Sequence, residues 1–146
     1  MDKDIHITIK GIQKNPDSAP DIDVNSEDCY VDESTEKGSY YNKNSTHFVL
    51  TEDEFSARTA RYKFNHRYLE VVKNGDINTK LYFEAGKSIT SMYKTPAGRM
   101  SLTFNTYNYS LHETAERIDV FAEYSIYNED VHVSNNTIEL HIMPAN

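Results

Sequence analysis

Close to its end the chain alternates with a period of two over ten residues. Ile118, Val120, Ala122, Tyr124 and Ile126 fall on one side, and Asp119, Phe121, Glu123, Ser125 and Tyr127 on the other. Successive side chains of a strand point to opposite faces, so the run reads as an antiparallel strand with one buried face. Burying each large aliphatic side chain of such a row contributes about 1.5–3 kcal/mol. A slip of one residue would expose the whole row, which firmly sets the register. Similar runs recur along the chain. They define a protein with an inside and an outside, and by themselves they name no chemistry.

The first strand is expected over residues 4–12, with Ile5, Ile7 and Ile9 inward. A loop rich in Pro16, Asp17, Ser18, Pro20 and Asp21 follows. Residues 27–36 are a weaker strand around Cys29 and Val31, and Gly38 is expected to break the chain before Tyr40-Tyr41. A turn at 42–45 leads to a strand over 46–51. Residues 57–64 alternate, with Arg58, Ala60, Tyr62 and Phe64 on one face and Arg61 and Lys63 on the other. Asn65-His66 is a turn, and Asn74-Gly75 closes the next strand with a hairpin signal. Residues 78–84 turn Leu81 and Phe83 inward. Gly86 marks a turn, and Thr95-Pro96-Ala97-Gly98 is another by composition. A strand over 99–109 through Met100, Leu102 and Phe104 is followed by a polar loop over 110–116. Ser134-Asn135-Asn136 is the last expected turn, before Ile138, Leu140 and Ile142. Thr51-Glu52-Asp53-Glu54 alternatively caps a short helix around Phe55 and Ala57. No other segment sustains a helical repeat.

The 146 residues suit a single domain spanning 1–146. With 38% hydrophobic and 26% charged residues the chain is globular rather than disordered. Its eleven Tyr and six Phe favour strands. Cys29 is the only cysteine, which excludes an internal disulfide and a thiolate zinc cluster. The first ten residues are charged and lack the apolar stretch of a signal peptide. No segment offers the roughly 20 apolar residues that span a bilayer. The expectation is a cytoplasmic protein with no membrane role. Asn44-Ser45-Thr46, Asn108-Tyr109-Ser110 and Asn135-Asn136-Thr137 match a glycosylation pattern and are read as chance matches.

Eight to ten strands joined by short turns imply a barrel or a sandwich. Direct pairing of sequence neighbours favours an up-and-down barrel, which leaves few exposed edges. Leu81-Tyr82-Phe83, Gly86, Tyr93-Lys94-Thr95-Pro96-Ala97-Gly98 and Thr106 resemble the YwiB-like family of uncharacterised bacterial proteins. Gly38-Ser39-Tyr40-Tyr41, Glu52, Gly75 and the final strand fit the same pattern, so the resemblance covers most of the chain after about residue 30. Ala97, Lys73 and Thr51 depart from it. The resemblance implies an all-β, antiparallel, calycin-like (lipocalin-like) barrel, and no activity.

A small barrel either fills its interior with side chains or holds one small molecule. Four polar groups on the apolar faces are the candidate ligand-binding residues: Arg58, Tyr62, Tyr93 and Tyr124. An arginine on an apolar face is costly unless paired. It is read here as a partner for a ligand carboxylate, an internal acid, or water at the barrel rim. The absence of Trp excludes the Gly-x-Trp of lipocalins, and no Arg-x-Tyr is present for a fatty-acid carboxylate. Tyr93, Thr95, Pro96 and Gly98 read as turn chemistry first, with Gly98 supplying positive φ.

His6, His47, His66, His112, His132 and His141 show no ligand spacing, although His132 and His141 are placed to approach across a hairpin. No catalytic residue, metal or cofactor is expected, and the chain is read as a binding protein rather than an enzyme. The formal net charge is -8, yet residues 57–100 hold nine Lys and Arg against three Asp and Glu, a local +6. Tyr62, Tyr68 and Tyr82 interleave with these bases, as in a stacking platform for single-stranded nucleic acid. Two functions are therefore carried forward. The first is a binding module for a small apolar or amphipathic ligand. The alternative is an interaction protein that uses the basic strands 57–100 against an acidic protein or RNA. Pairing of those bases with acids on neighbouring strands is the bland account of the same pattern.

Overall fold

The inward rows of the sequence close on one another to form a barrel. The computed structural model describes residues 3–17, 28–53, 58–75 and 78–145. Ten strands run through them: β1 (Asp4–Lys14), β2 (Cys29–Lys43), β3 (Thr46–Glu52), β4 (Thr59–Phe64), β5 (Tyr68–Asn74), β6 (Thr79–Glu84), β7 (Lys87–Thr95), β8 (Gly98–Glu113), β9 (Ile118–Asn128) and β10 (Val131–Pro144). They make one antiparallel sheet in the order β6-β5-β4-β3-β2-β1-β10-β9-β8-β7. Every pair of sequence neighbours is hydrogen-bonded except β6 and β7, and the first strand pairs with the last through Ile7 and Ile142. This is an all-β up-and-down barrel, nearly closed, with its seam between β6 and β7.

Strand β8 closes the seam. Its first half pairs with β7, from Thr95 and Gly98 to Lys87 and Thr106. The register against β9 shifts between Thr106 and Asn108, so Tyr107 is the extra residue of a bulge. Bulges bend a strand, and beyond this one β8 leaves β7 and approaches β6. The Tyr109 hydroxyl then lies 2.7 Å from the Asn65 carbonyl and 2.8 Å from that of Tyr68. Gly86 N–H donates to the Thr106 carbonyl at 2.8 Å. The rings of Phe83 and Tyr124 meet at 4.7 Å between centroids. The seam is thus sealed by side chains and single hydrogen bonds rather than by a ladder.

The core follows the predicted alternation. Ile118, Val120 and Ala122 are buried, with Ile5, Ile7, Leu140 and Ile142 beside them and Phe64, Leu69 and Phe83 across the barrel. Three expectations are corrected. Gly38 does not break the chain but lies inside β2. A Cβ there would stand 2.5 Å from the Leu50 carbonyl oxygen, so glycine serves a close backbone approach. Residues 110–113 belong to β8, because pairing with β9 continues to Glu113 and Ile118, and the loop begins at Thr114. Ser134, Asn135 and Asn136 form no turn. They lie in β10 beside a bulge, and the turn before it contains Glu129 (φ 56°) and Asp130. Ser134 and Asn136 are buried, and the Asn136 amide donates to Ser134 Oγ at 2.9 Å, so polar residues that suggest a turn are satisfied inside. The helical alternative at 51–57 lies partly outside the described residues, and its start, Thr51 and Glu52, is strand. Residues 18–21 of the proposed loop also lie outside them.

Candidate functional site

Side chains directly opposite in an antiparallel pair share a face, so the register sorts the inner wall of β2–β6 into rows. The deepest row is Asn42, His47, Phe64, Leu69 and Phe83. The next is Tyr40, Val49, Tyr62, Val71 and Leu81. Above it come Gly38, Thr51, Ala60, Lys73 and Thr79. The first two rows are largely core. The third begins with three small side chains, and the wall opens there. A cleft of about 1030 Å³ is lined by Thr51, Ala60, Tyr62, Lys73 and Thr79, and nearer its rim by Glu36, Asp53 and Arg58. The cleft therefore has a cause in sequence: small residues stand one row above Tyr62.

Strand β2 forms one side of the opening. It outlasts β3, whose last pairing with it is between Thr51 and Gly38. Glu36 pairs with Ile7 of β1, which puts its side chain on the inner face. On the other side, the Arg58 carbonyl accepts from Asp53 N–H at 2.8 Å at the start of β4. The Arg58 stem lies over Gly75, where a Cβ would meet its Cγ at 3.1 Å. Arg58 and Tyr62 thus come together in one cleft.

Tyr62 is 1% exposed as a residue and borders the cleft, and its hydroxyl makes no hydrogen bond among the described residues. Burial, and then the nearby charge of Glu36, push its phenol well above the usual range. Among the described residues neither Arg58, Lys73 nor Glu36 forms an ion pair.

Tyr93 and Tyr124 sit elsewhere, on the β7–β10 wall, and do not line this cleft. Tyr124 packs against Phe83 and Phe104 and is pushed up to about 12 by burial and then by Tyr93. Tyr93, half-buried, is raised by burial. With Leu102 and Ile126, these two tyrosines form an apolar, half-buried wall packed against the core. Pro96 and Ala97 make the turn between β7 and β8, and Gly98 has φ +118°, as its predicted role requires.

The histidines are dispersed. His47 is buried between Tyr40 and Phe64. His132 and His141 lie on one strand, not across a hairpin. His132 stacks on Tyr127 and approaches Asn135, whereas His141 pairs with Asp119 at 2.6 Å. Among the described residues no group of three His, Cys, Asp or Glu is placed to hold a metal ion.

On the outer face of β4–β6, Glu70 receives both Arg61 (3.3 Å) and Lys80 (3.9 Å), and Glu84 receives Arg67 (3.9 Å). Lys63 lies over the Phe48 ring, and Tyr68 stacks on Tyr82. Arg61, Arg67 and Lys80, three of the nine bases of this segment, are therefore paired with acids of neighbouring strands.

Sequence reasoning missed Lys73 and Glu36 as cleft residues. Their signal was positional: each lies opposite an inward residue of a neighbouring strand, which only the register reveals.

The class of protein these features define is an all-β up-and-down barrel with a polar cleft at one end of its core. The sequence matches the model of a domain of unknown function (DUF1934) over residues 19–140, and the chain belongs to that family. It is similar in fold to the ywiB protein from Bacillus subtilis, with a TM-score of 0.74 at 15% identity, over 99% of this chain and 93% of that one. No curated protein matches the sequence. Among the described residues no helix is long and apolar enough to cross a membrane.

Proposed function

We propose that this barrel is a calycin-like binding module of the bacterial cytoplasm that takes one small amphipathic ligand at its open end. One observation carries the reading. Arg58 and the Tyr62 hydroxyl, which makes no hydrogen bond among the described residues, line the same cleft from one inner face. The hydroxyl borders the cleft and is free there to donate to, or accept from, a ligand group.

The test is titration with 1-anilinonaphthalene-8-sulfonate, an amphipathic anion whose fluorescence reports binding. Saturable binding that weakens about tenfold in Arg58→Ala supports the reading, a loss of about 1.4 kcal/mol. Absence of binding, or binding indifferent to Arg58→Ala and Tyr62→Phe, would remove it.

The alternative is a contact to an acidic protein or RNA through residues 57–100. It is favoured by the stacked pair Tyr68–Tyr82, with Arg67 over the Tyr68 ring. It ranks second because Glu70 and Glu84 engage the bases around that stack. RNA binding that falls steeply with salt and is lost in Tyr82→Ala would promote it.

A further inference from the structure

Resting on that reading, we infer that the cleft selects a zwitterionic head group, one bearing a cationic and an anionic centre together, over a simple anion. The argument is the order of charges around the opening. Glu36 stands on β2, Asp53 just past β3, Arg58 just before β4 and Lys73 on β5. Among the inward-facing positions the acids fall on the β2–β3 side and the bases on the β4–β5 side, while Lys37 and Glu52, out of phase with them, also border the opening. Neighbouring strands lie about 4.8 Å apart, so two strand spacings put the backbones of Glu36 and Arg58 about 10 Å apart. That separation fits the absence of an ion pair at either residue among the described residues. It also leaves room for a head group between them, with each of its charges against its own partner.

A ligand bearing only an anion would satisfy Arg58 and Lys73 but bring a second negative charge toward Glu36. Glu36, Arg58 and Lys73 are exposed at the opening, and like charges brought within a few ångströms repel even where water reaches them. A ligand bearing only a cation would meet the converse at Arg58. A zwitterion satisfies both sides, and Tyr62 supplies the floor. Its hydroxyl, which makes no hydrogen bond among the described residues, borders the cleft beneath the small residues Gly38, Thr51 and Ala60. A hydroxyl donates as well as accepts, so it suits the anionic centre of such a group. The head group would be small, because one row of short side chains makes the space.

Three probes sharing one alkyl chain decide the matter: dodecanoate, dodecyl dimethylglycine betaine and dodecyltrimethylammonium, titrated into the full chain by calorimetry below their micellar concentrations. The betaine is expected to bind about tenfold more tightly than either singly charged probe. Glu36→Gln should abolish its advantage over dodecanoate, while Arg58→Ala weakens both. Circular dichroism of each variant confirms the fold. Dodecanoate binding as tightly as the betaine, with Glu36→Gln changing neither, would overturn the zwitterion inference and leave the ligand reading intact if Arg58→Ala still weakened binding. Failure of all three probes to bind, or binding unaffected by Arg58→Ala, would overturn the ligand reading and the inference together.

Discussion

The Tyr40 hydroxyl lies 2.6 Å from Nδ1 of His47, inside the barrel, and Nε2 of the same ring faces Glu113 at 3.5 Å. The pair joins β2 and β3, and the Glu113 contact reaches β8 on the far wall. His47 is 3% exposed. The arrangement suits a neutral ring that accepts from Tyr40 at Nδ1 and carries its proton on Nε2. Burial lowers the His47 value more than Glu113 raises it.

This relationship predicts a pH effect with a definite sign. Unfolded, His47 takes up a proton near its ordinary 6.5; folded, it resists. Between those values the unfolded state binds more protons, so stability falls as pH falls. The contribution is complete above 6.5 and is lost as pH drops through the depressed folded value. The urea midpoint should decline from about pH 7.5 to 5.5, and His47→Gln should flatten the decline. Equal slopes in both proteins would refute the assignment. Tyr40→Phe, which leaves Nδ1 only the longer 3.3 Å contact to the Asn42 amide, should cost about 1 kcal/mol.

Gly38→Ala should be strongly destabilising. The new Cβ would lie 2.5 Å from the Leu50 carbonyl oxygen and 3.0 Å from Thr51 Cγ2, and the first of these belongs to the backbone of the next strand. A loss of about 2 kcal/mol or more is expected. Gly11→Ala, where nothing lies within 4 Å, is the control and should be neutral or slightly stabilising. Similar melting temperatures for the two variants would show that the β2–β3 approach is not a constraint.

Thr106→Val should stabilise the protein. Thr106 is 1% exposed, and its Oγ1 is buried without a hydrogen-bond partner among the described residues. Valine keeps the branched shape and removes the polar atom, which should raise the unfolding free energy by about 1 kcal/mol. A drop in the urea midpoint would mean that the hydroxyl is satisfied in solution.

Asp119 holds Arg117 Nε at 2.8 and 2.9 Å through its two oxygens, and His141 Nδ1 at 2.6 Å. Burial raises its carboxyl, but the hydrogen bonds from His141 and Arg117 outweigh this and leave it below its ordinary 3.8. Its stabilisation is present above 3.8 and is lost as pH falls through the depressed value. Asp119→Asn should cost at most about 1 kcal/mol at neutral pH, since the cluster is partly exposed. It should also make stability less sensitive to acid in that low window. An unchanged acid limb would exclude Asp119 as a contributor.

The sequence by itself determined the strands and which of their faces turns inward. The alternation Ile118, Val120, Ala122 and the set Arg58, Ala60, Tyr62, Phe64 depend only on the two-residue period of a strand, a property of the local backbone. The turns at Asn44 and at Pro96 to Gly98 were legible for the same reason. The tertiary structure decided what depends on register between strands. It placed Glu36 and Lys73 on the wall of the Arg58 cleft, kept Gly38 and Asn136 within strands, and sent Tyr93 and Tyr124 to a different wall. Register is a relation between residues far apart in the chain, and no local period encodes it.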